Sequence, residues 1–319
     1  MKTMFLPTAA AALALAAPAA TACSSCGCTL NSDWSSQGYT VQAGFNADVR
    51  YDYFDQSDLR TGAHAADRSA LTLPNAREIQ QDTINRNATV ALDWSPSRTW
   101  AVNLQLPYFD RSHATVAPGD TAVSTSQSRG VGDARVMARY QGFEADLSVG
   151  VELGVKLPTG RIDDTFSTGP QAGQPVDRGL QLGTGSTDLL VGGYAVGALG
   201  TDVYYFANVL WQQPVASRDG FRPGNGANVT VGLRYTGALP GGVVPQLQLN
   251  ARVEARESGI NADVPDSGAT LAYLSPGIGF RVLGNVDGFA FVQVPVYQRM
   301  NGLQITPRWL LSVGLHYDL

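Results

Sequence analysis

The sequence predicts an all-β fold, a transmembrane antiparallel up-and-down β-barrel of about twelve strands, and three observations carry that reading. From residue 39 onward, apolar and polar residues alternate at period two, as in strands whose two faces meet different surroundings. The connections between these strands are short and long by turns. Aromatic residues gather at both strand ends. A helical membrane protein is excluded: mean hydropathy is −0.07, and no run approaches the roughly 18 apolar residues of a spanning helix. Charged residues make up 15% of the chain, below the roughly 25% of soluble domains. A net charge of −5 without any basic face argues against nucleic acid as a partner.

The N-terminus reads as an export signal over residues 1–22. Lys2 supplies a positive start, Ala9 to Ala20 an apolar core, and Ala20-Thr21-Ala22 an A-x-A cleavage site. Residues 23–37, CSSCGCTLNSDWSSQ, form a polar segment placed at the periplasmic mouth of the barrel or inside it as a plug. Its Cys23, Cys26 and Cys28 are the only cysteines in the chain. Three thiolates at C-x-x-C-x-C spacing suit a soft ion such as copper or zinc. A local disulfide or lipidation of Cys23 are the alternatives, although Ala20 stands where a lipidation motif usually has leucine. Gly27 after Cys26 excludes haem attachment. The set also falls short of a four-cysteine zinc site.

Residues 38–319 are assigned to the barrel. In 39–54, Val41, Ala43, Phe45, Ala47, Val49, Tyr51 and Tyr53 face lipid, while Gln42, Gly44, Asn46, Asp48, Arg50 and Asp52 face the lumen. The same pattern places strands near 82–95, 99–110, 131–141, 145–158, 186–196, 202–214, 227–236, 244–257, 270–283, 288–299 and 307–319. Short turns follow at Ser95-Pro96-Ser97, Gly142-Phe143-Glu144, Ala198-Leu199-Gly200, 237–242 and 284–288. Long polar loops are expected at 55–81, 111–130, 159–185, 215–226 and 258–269. This sorting by parity is the periplasmic/extracellular asymmetry of outer-membrane barrels and puts both termini in the periplasm. Trp94, Trp100, Tyr140, Tyr235 and Tyr317 mark the short-turn rim. Tyr51, Tyr53, Tyr108, Phe109, Trp211 and Trp309 mark the other. The last stretch, Arg308 to Leu319, alternates strictly and should pair with 39–54 to close the barrel.

The candidate lumen carries both signs of charge: Asp48, Arg50, Asp52, Asp93, Asp133, Arg135, Arg139, Glu152, Lys156, Arg234, Arg252, Glu254, Arg256, Arg281 and Arg299. These groups either pair across the interior or line a narrow hydrated path whose selectivity they tune, the arginine excess favouring anions. Pro107, Pro158, Pro214 and Pro295 sit in strands near the outer end. A proline cannot donate to the ladder, so each should mark a bulge or a missing hydrogen bond. Fraying at the rim is one reading; a kinked wall that lets an apolar molecule leave sideways is the other. His316 and Ser312 share a face, but no acidic partner can be placed for a catalytic pair. His64 and His113 fall in expected loops, so no enzyme is expected.

The ending of the chain resembles the C-terminal assembly signal of bacterial outer-membrane barrels, with Leu319 where that signal usually has an aromatic. The motifs KLPTG (156–160), GVGD (130–133) and GTGS-x-D (183–188), on an aromatic-girdled barrel, resemble an outer-membrane family named for the meta-pathway of phenol degradation. The resemblance spans 38–319 and is loosely shared with barrels that import fatty acids and toluene. It implies a passive channel for small, hydrophobic or aromatic solutes in a Gram-negative outer membrane. The implied partners are membrane lipids, the barrel-assembly machinery and the solute, with no nucleic acid and no cofactor beyond the possible metal. A metal-linked porin and a structural or adhesive barrel are the alternatives.

Overall fold

The computed structural model describes residues 43–144 and 148–319. The proposed signal peptide, Cys23, Cys26, Cys28 and the start of the first expected strand lie outside them. The strands are β1 Gly44–Gly62, β2 His64–Ala65, β3 Ile79–Ser95, β4 Trp100–Val116, β5 Ser124–Val131, β6 Arg135–Tyr140, β7 Val149–Lys156, β8 Asp188–Ala198, β9 Val203–Pro214, β10 Gly226–Tyr235, β11 Val244–Glu254, β12 Ala269–Leu283 and β13 Val286–Asp318. Wall strands pair antiparallel with their sequence neighbours, and β13 returns to β1, with Val49 opposite Leu315 and Asn46 opposite Asp318. Eleven strands make this closed wall, while β2 and β5 flank it on β1 and β4.

The last strand supplies two staves. Val286–Met300 pairs with β12 and Leu303–Asp318 with β1, the reversal falling at Gly302, whose φ of +56° favours glycine. Twelve staves therefore pass between the rims, as the alternation predicted.

The wall is turned inside out relative to a soluble protein. Val49, Val90, Leu92, Leu104, Val151, Leu153, Val209, Leu233, Leu249, Val294 and Leu315 are exposed on the outside. Asn85, Asn87, Asn208, Thr230, Gln248, Asn250, Ser275, Gln293 and Ser312 are buried on the inside. In lipid the backbone has no water to bond, so closure and an apolar outer belt are two sides of one requirement. Ring pairs Phe45–Trp94 (6.3 Å) and Trp100–Tyr140 (4.8 Å) lie at the short-turn rim, and Tyr53–Trp309 (5.7 Å) toward the other. Phe109 departs from the girdle expected of it. It lies beside Gly132, with the Arg111 guanidinium 5.5 Å from its ring centroid, and lines the interior.

The short turns stand where expected, but two long loops do not. About half of 55–81 and most of 111–130 is strand: β1 runs to Gly62, β3 starts at Ile79, and β4 and β5 pair up to Thr115–Ser124. His64 and His113, expected in loops, lie on β2 and β4. These extensions rise beyond the apolar belt, so their outward faces are polar and the alternation that marks a lipid-facing strand disappears. Inside them Leu59, Ile79, Val116, Leu303 and Ile305 form a small apolar core. A second core, Phe54, Leu271, Tyr273, Met300 and Leu310, lies among β1, β12 and β13.

Replacing an outward belt residue by a charge tests the orientation of the wall. Leu249→Arg, midway along β11 on the exposed face, should lower barrel stability by about 2–4 kcal/mol, read by denaturant unfolding in lipid vesicles. Unchanged stability would place that face in water.

Candidate channel lumen and wall junction

The three short motifs of the sequence meet at one place in the wall. β4 pairs with β5 from Tyr108 upward and with β6 from Gln105 downward, and the partner stave is interrupted at Gly132-Asp133-Ala134. Pro107 sits opposite this interruption, where Gly132 N–H donates to its carbonyl at 2.9 Å. β7 ends at Lys156 and β8 begins opposite it at Asp188, so no strand ladder continues beside β5 above that level. Residues 157–187 take the place of the missing ladder.

Side chains satisfy what the ladder leaves open. Thr159 Oγ1 accepts from Ala134 N–H and donates to the Gly132 carbonyl, both at 2.8 Å, bridging the two halves of the broken stave. Asp133 accepts from Gly160 N–H (3.0 Å) and Thr184 N–H (2.9 Å). Lys156, with a side chain only 4% exposed, lies between Asp133 (3.3 Å) and Asp188 (2.9 Å) and also reaches Thr184 and Ser186. Ser186 and Gln212 donate to Asp188. Gly160 and Gly183 pack backbone to backbone: a Cβ on Gly183 would stand 2.3 Å from the Gly160 carbonyl oxygen. Glycine is needed there for close approach.

Below this junction a cavity of about 170 Å³ opens into the barrel. Arg50, Arg111, Arg135, Lys156 and Arg252 supply five basic side chains to its lining, against two acidic ones, Asp133 and Glu254. Arg50 bonds Asp52 (2.8 Å), and Arg252 bonds Glu254 (2.7 Å) and Asn228 (3.0 Å). The Arg135 side chain makes no hydrogen bond or ion pair among the described residues, and it shares the lining with Arg50 and Arg252. Pro107, Phe109, Leu182 and Leu210 give the cavity an apolar side. Gly179, Gln181 and Leu182 belong to the segment that replaces the ladder. It is tied down from within the barrel by Arg111 Nη1, which donates to the Leu180 carbonyl at 2.8 Å.

The other expected lumen groups divide by position. Asp48, Asp93, Arg139, Glu152 and Arg234 lie on inward positions nearer the short-turn rim, Arg139 and Arg234 over the rings of Tyr194 (5.9 Å) and Tyr204 (5.3 Å). Arg256 and Arg299 are not in the lumen, and Arg281 lies at the exposed short-turn rim. Arg256 lies beyond the end of β11, exposed, donating to the Pro265 carbonyl. Arg281 lies within β12 near its short-turn end, exposed and paired with Asp287. Arg299 is exposed because β13 shifts register against β12 between Pro295 and Tyr297, and one extra residue reverses every side chain beyond it. Pro295 thus marks a bulge, as predicted. Pro158 follows the last residue of β7, and Pro214 is the last of β9. Pro307, at a further register shift against β1, was not singled out by the sequence. His316 Nδ1 lies 2.7 Å from Asp48, while the Ser312 hydroxyl donates to Asp52 at 2.6 Å; the pair expected as a weak catalytic candidate is thus split between two aspartates.

At the outer end, beyond the wall, Glu78, Asp177 and Asp263 come from three separate segments, with ligand atoms within 4.8 Å of one another. Burial, then the Glu78 charge, pushes the Asp177 carboxyl up to about 6. Burial and neighbouring acids raise Asp263 as well. Glu78 is held below its ordinary value: burial opposes this, but hydrogen bonding and charge attraction to His113 outweigh it. Sequence reasoning missed this group, because its members lie some 85 to 100 residues apart in the chain and only the loop packing joins them.

The architecture is that of a closed antiparallel up-and-down β-barrel, the fold of outer-membrane barrel proteins. An outer membrane channel from Pseudomonas putida F1 superposes with a TM-score of 0.64 at 13% identity, covering 90% of this chain and 99% of that one. The β domain of the Bordetella autotransporter BrkA gives a TM-score of 0.49 at 14% identity, covering 86% and 100%. The monoaromatic hydrocarbon channel TodX gives 0.48 at 7% identity, covering 88% and 91%. At these identities the first superposition establishes the fold alone, and the other two add no argument. No protein-family model and no curated protein matches the chain.

The junction makes a direct prediction. Lys156→Met leaves Asp133 and Asp188 buried with no cation between them and should cost about 3–5 kcal/mol. Denaturant unfolding in micelles reads this directly. A variant as stable as the parent would show that the buried pair contributes nothing to the wall.

Proposed function

We propose that the chain is an outer-membrane channel that conducts small solutes passively, with a lumen that favours anionic groups and an apolar side that accepts aromatic or hydrophobic bodies. The observation that carries the reading is the cavity of about 170 Å³, where the Arg135 side chain stands unpaired beside Arg50 and Arg252. A guanidinium in a low-dielectric passage attracts anions strongly, and one not already paired keeps that attraction for a solute. Phe109, Pro107 and Leu182 support contact with an apolar ring on the same solute.

The wall junction supports a sideways exit. Elsewhere in the wall adjacent strands stay paired apart from local register shifts, whereas here short contacts and the segment 157–187 stand in for a ladder, with Leu157 exposed on the outer surface. An apolar molecule leaving the cavity between Pro107 and Leu182 would reach lipid without crossing the polar outer rim. This reading keeps the chain with the barrels named for the meta-pathway of phenol degradation, with lipids and the barrel-assembly machinery as partners and a Gram-negative outer membrane as its location.

Planar bilayers test conduction. Under a salt gradient the reversal potential should report anion preference, and Arg135→Gln should reduce it several-fold while leaving the folded, heat-modifiable gel mobility unchanged. A barrel without conductance supports the structural or adhesive alternative and removes the channel. Uptake of aromatic carboxylates by a deletion strain tests the solute class; uptake equal to the parent strain's removes it.

A further inference from the structure

We infer that the cavity is a saturable binding site for a one-ring aromatic monocarboxylate bearing a neutral hydroxyl opposite its carboxylate, with Arg135 holding the carboxylate and Asn87 the hydroxyl. The inference rests on the channel reading and narrows its solute class to what these two side chains can hold.

Asn87 carries the argument. It is 1% exposed on the inner face of β3 and lines the cavity, yet neither its Oδ1 nor its Nδ2 has a hydrogen-bond partner. Leaving both ends of a buried amide unsatisfied is costly. Its neighbours are already committed. Asp52, opposite it on β1, accepts from Arg50 (2.8 Å) and Ser312 (2.6 Å). Asn85, two residues before it, accepts from Arg111 (2.8 Å) and donates to Gln56 (3.2 Å). The Asn87 amide therefore keeps a donor and an acceptor for a group in the cavity. A hydroxyl matches it, because it donates and accepts at one atom. A second carboxylate does not: it only accepts, and it would stand beside the Asp52 charge.

The charge at the other end is single. Among the described residues, Asp52, Asp133, Asp188 and Glu254 answer the five cations of the lining with four carboxylates. One positive charge is left over. Arg111 donates to Asn85 and Leu180, whereas the Arg135 guanidinium keeps its donors open. One surplus charge suits a monoanion, and the planar fork takes a carboxylate through two parallel hydrogen bonds.

The register sets the spacing. Asn87 pairs with Phe109 and Arg135 with Gln105, so the two side chains flank β4, four residues apart along it. Four residues rise about 13 Å, and two steps between strands span about 10 Å. The long guanidinium arm crosses part of that gap, and a ring with its two groups at opposite ends takes up the rest. Pro107 and Phe109 on β4, with Leu182, give that ring apolar contacts. An apolar cavity of about 150 Å³ admits benzene, so one of about 170 Å³ holds a single substituted ring and excludes a fused-ring body.

Binding is read by calorimetry on the full-length protein in detergent micelles, with para-hydroxybenzoate, benzoate, ortho-hydroxybenzoate and terephthalate as probes. One saturable site per chain is expected for para-hydroxybenzoate, about five- to ten-fold tighter than for benzoate, the worth of a hydrogen bond to an otherwise unpaired amide. Ortho-hydroxybenzoate, whose hydroxyl lies beside its carboxylate, and terephthalate, with its second charge, should bind no better than benzoate. Asn87→Leu, similar in shape, should erase the preference for para-hydroxybenzoate over benzoate while keeping the folded, heat-modifiable gel mobility. Arg135→Gln should weaken both acids about ten-fold or more. No saturable para-hydroxybenzoate binding up to its solubility, no preference over benzoate in the parent, or a preference that survives in folded Asn87→Leu overturns the site. If Asn87→Leu does not fold, the ranking of the four acids on the parent decides. Conductance in planar bilayers separates the two readings: a parent that conducts without binding loses the site alone, and one that binds without conducting loses the channel and keeps the site.

Discussion

The buried ammonium of Lys156, held between Asp133 and Asp188, is the contact on which the irregular side of this barrel depends. A sheet closed in lipid must satisfy each backbone N–H and C=O internally. Around most of the wall the ladder does so. Where β5 gives way to β6 and where β7 ends, it does not, and side chains take over: Thr159 bridges the broken stave and Asp133 collects the amides of Gly160 and Thr184. Asp133 alone would be a buried charge, which is costly. Lys156 balances it, and Asp188 at the start of β8 completes the arrangement, so three connections are fastened by one cation.

That junction also shapes the interior. Because β7 and β8 leave the wall at Lys156 and Asp188, residues 157–187 pack against the lumen instead of extending the barrel upward. Phe166, Val176 and Leu180 give the segment its own small core. Gln181 crosslinks it through Asp164 and Val176, and Arg111 anchors it from below. The cavity is bounded on one side by this packed segment and on the other by the arginines of β1, β6 and β11. The lining of the cavity and the convergence of the outer carboxylates both follow from where this one connection lies.

Much of the fold was legible in the chain because two-sided strands leave a period-two trace wherever one face meets lipid. The alternation of 39–54, the short turns after every second strand and the closing pair with Arg308–Leu319 were all readable on that basis. The trace fails where its cause is missing. Above the apolar belt β1, β3 and β4 continue as strands with polar outer faces and look like loops. Arg299 looked inward because nothing in the residues near Pro295 counts the extra residue of a bulge. Arg256 was misplaced because a strand end cannot be set from alternation to within two or three residues, whereas Arg281 lies on the expected strand but at its exposed rim end. Arg50, Arg135, Lys156 and Arg252 were recognisable as inward charges, but not which of them is already paired.

The sequence by itself determined the class of fold, the direction of the wall and the identity of the three motifs, since each follows from local pattern: period-two burial, turn chemistry, and glycine or proline at fixed places. Only the tertiary structure decided that GVGD, KLPTG and GTGS-x-D are one site, that Arg135 is unpaired, and that Glu78, Asp177 and Asp263 converge. Those outcomes depend on distances between residues far apart in the chain. Such distances are set by closure of the barrel and by the packing of one connection against its interior, and no local periodicity records either.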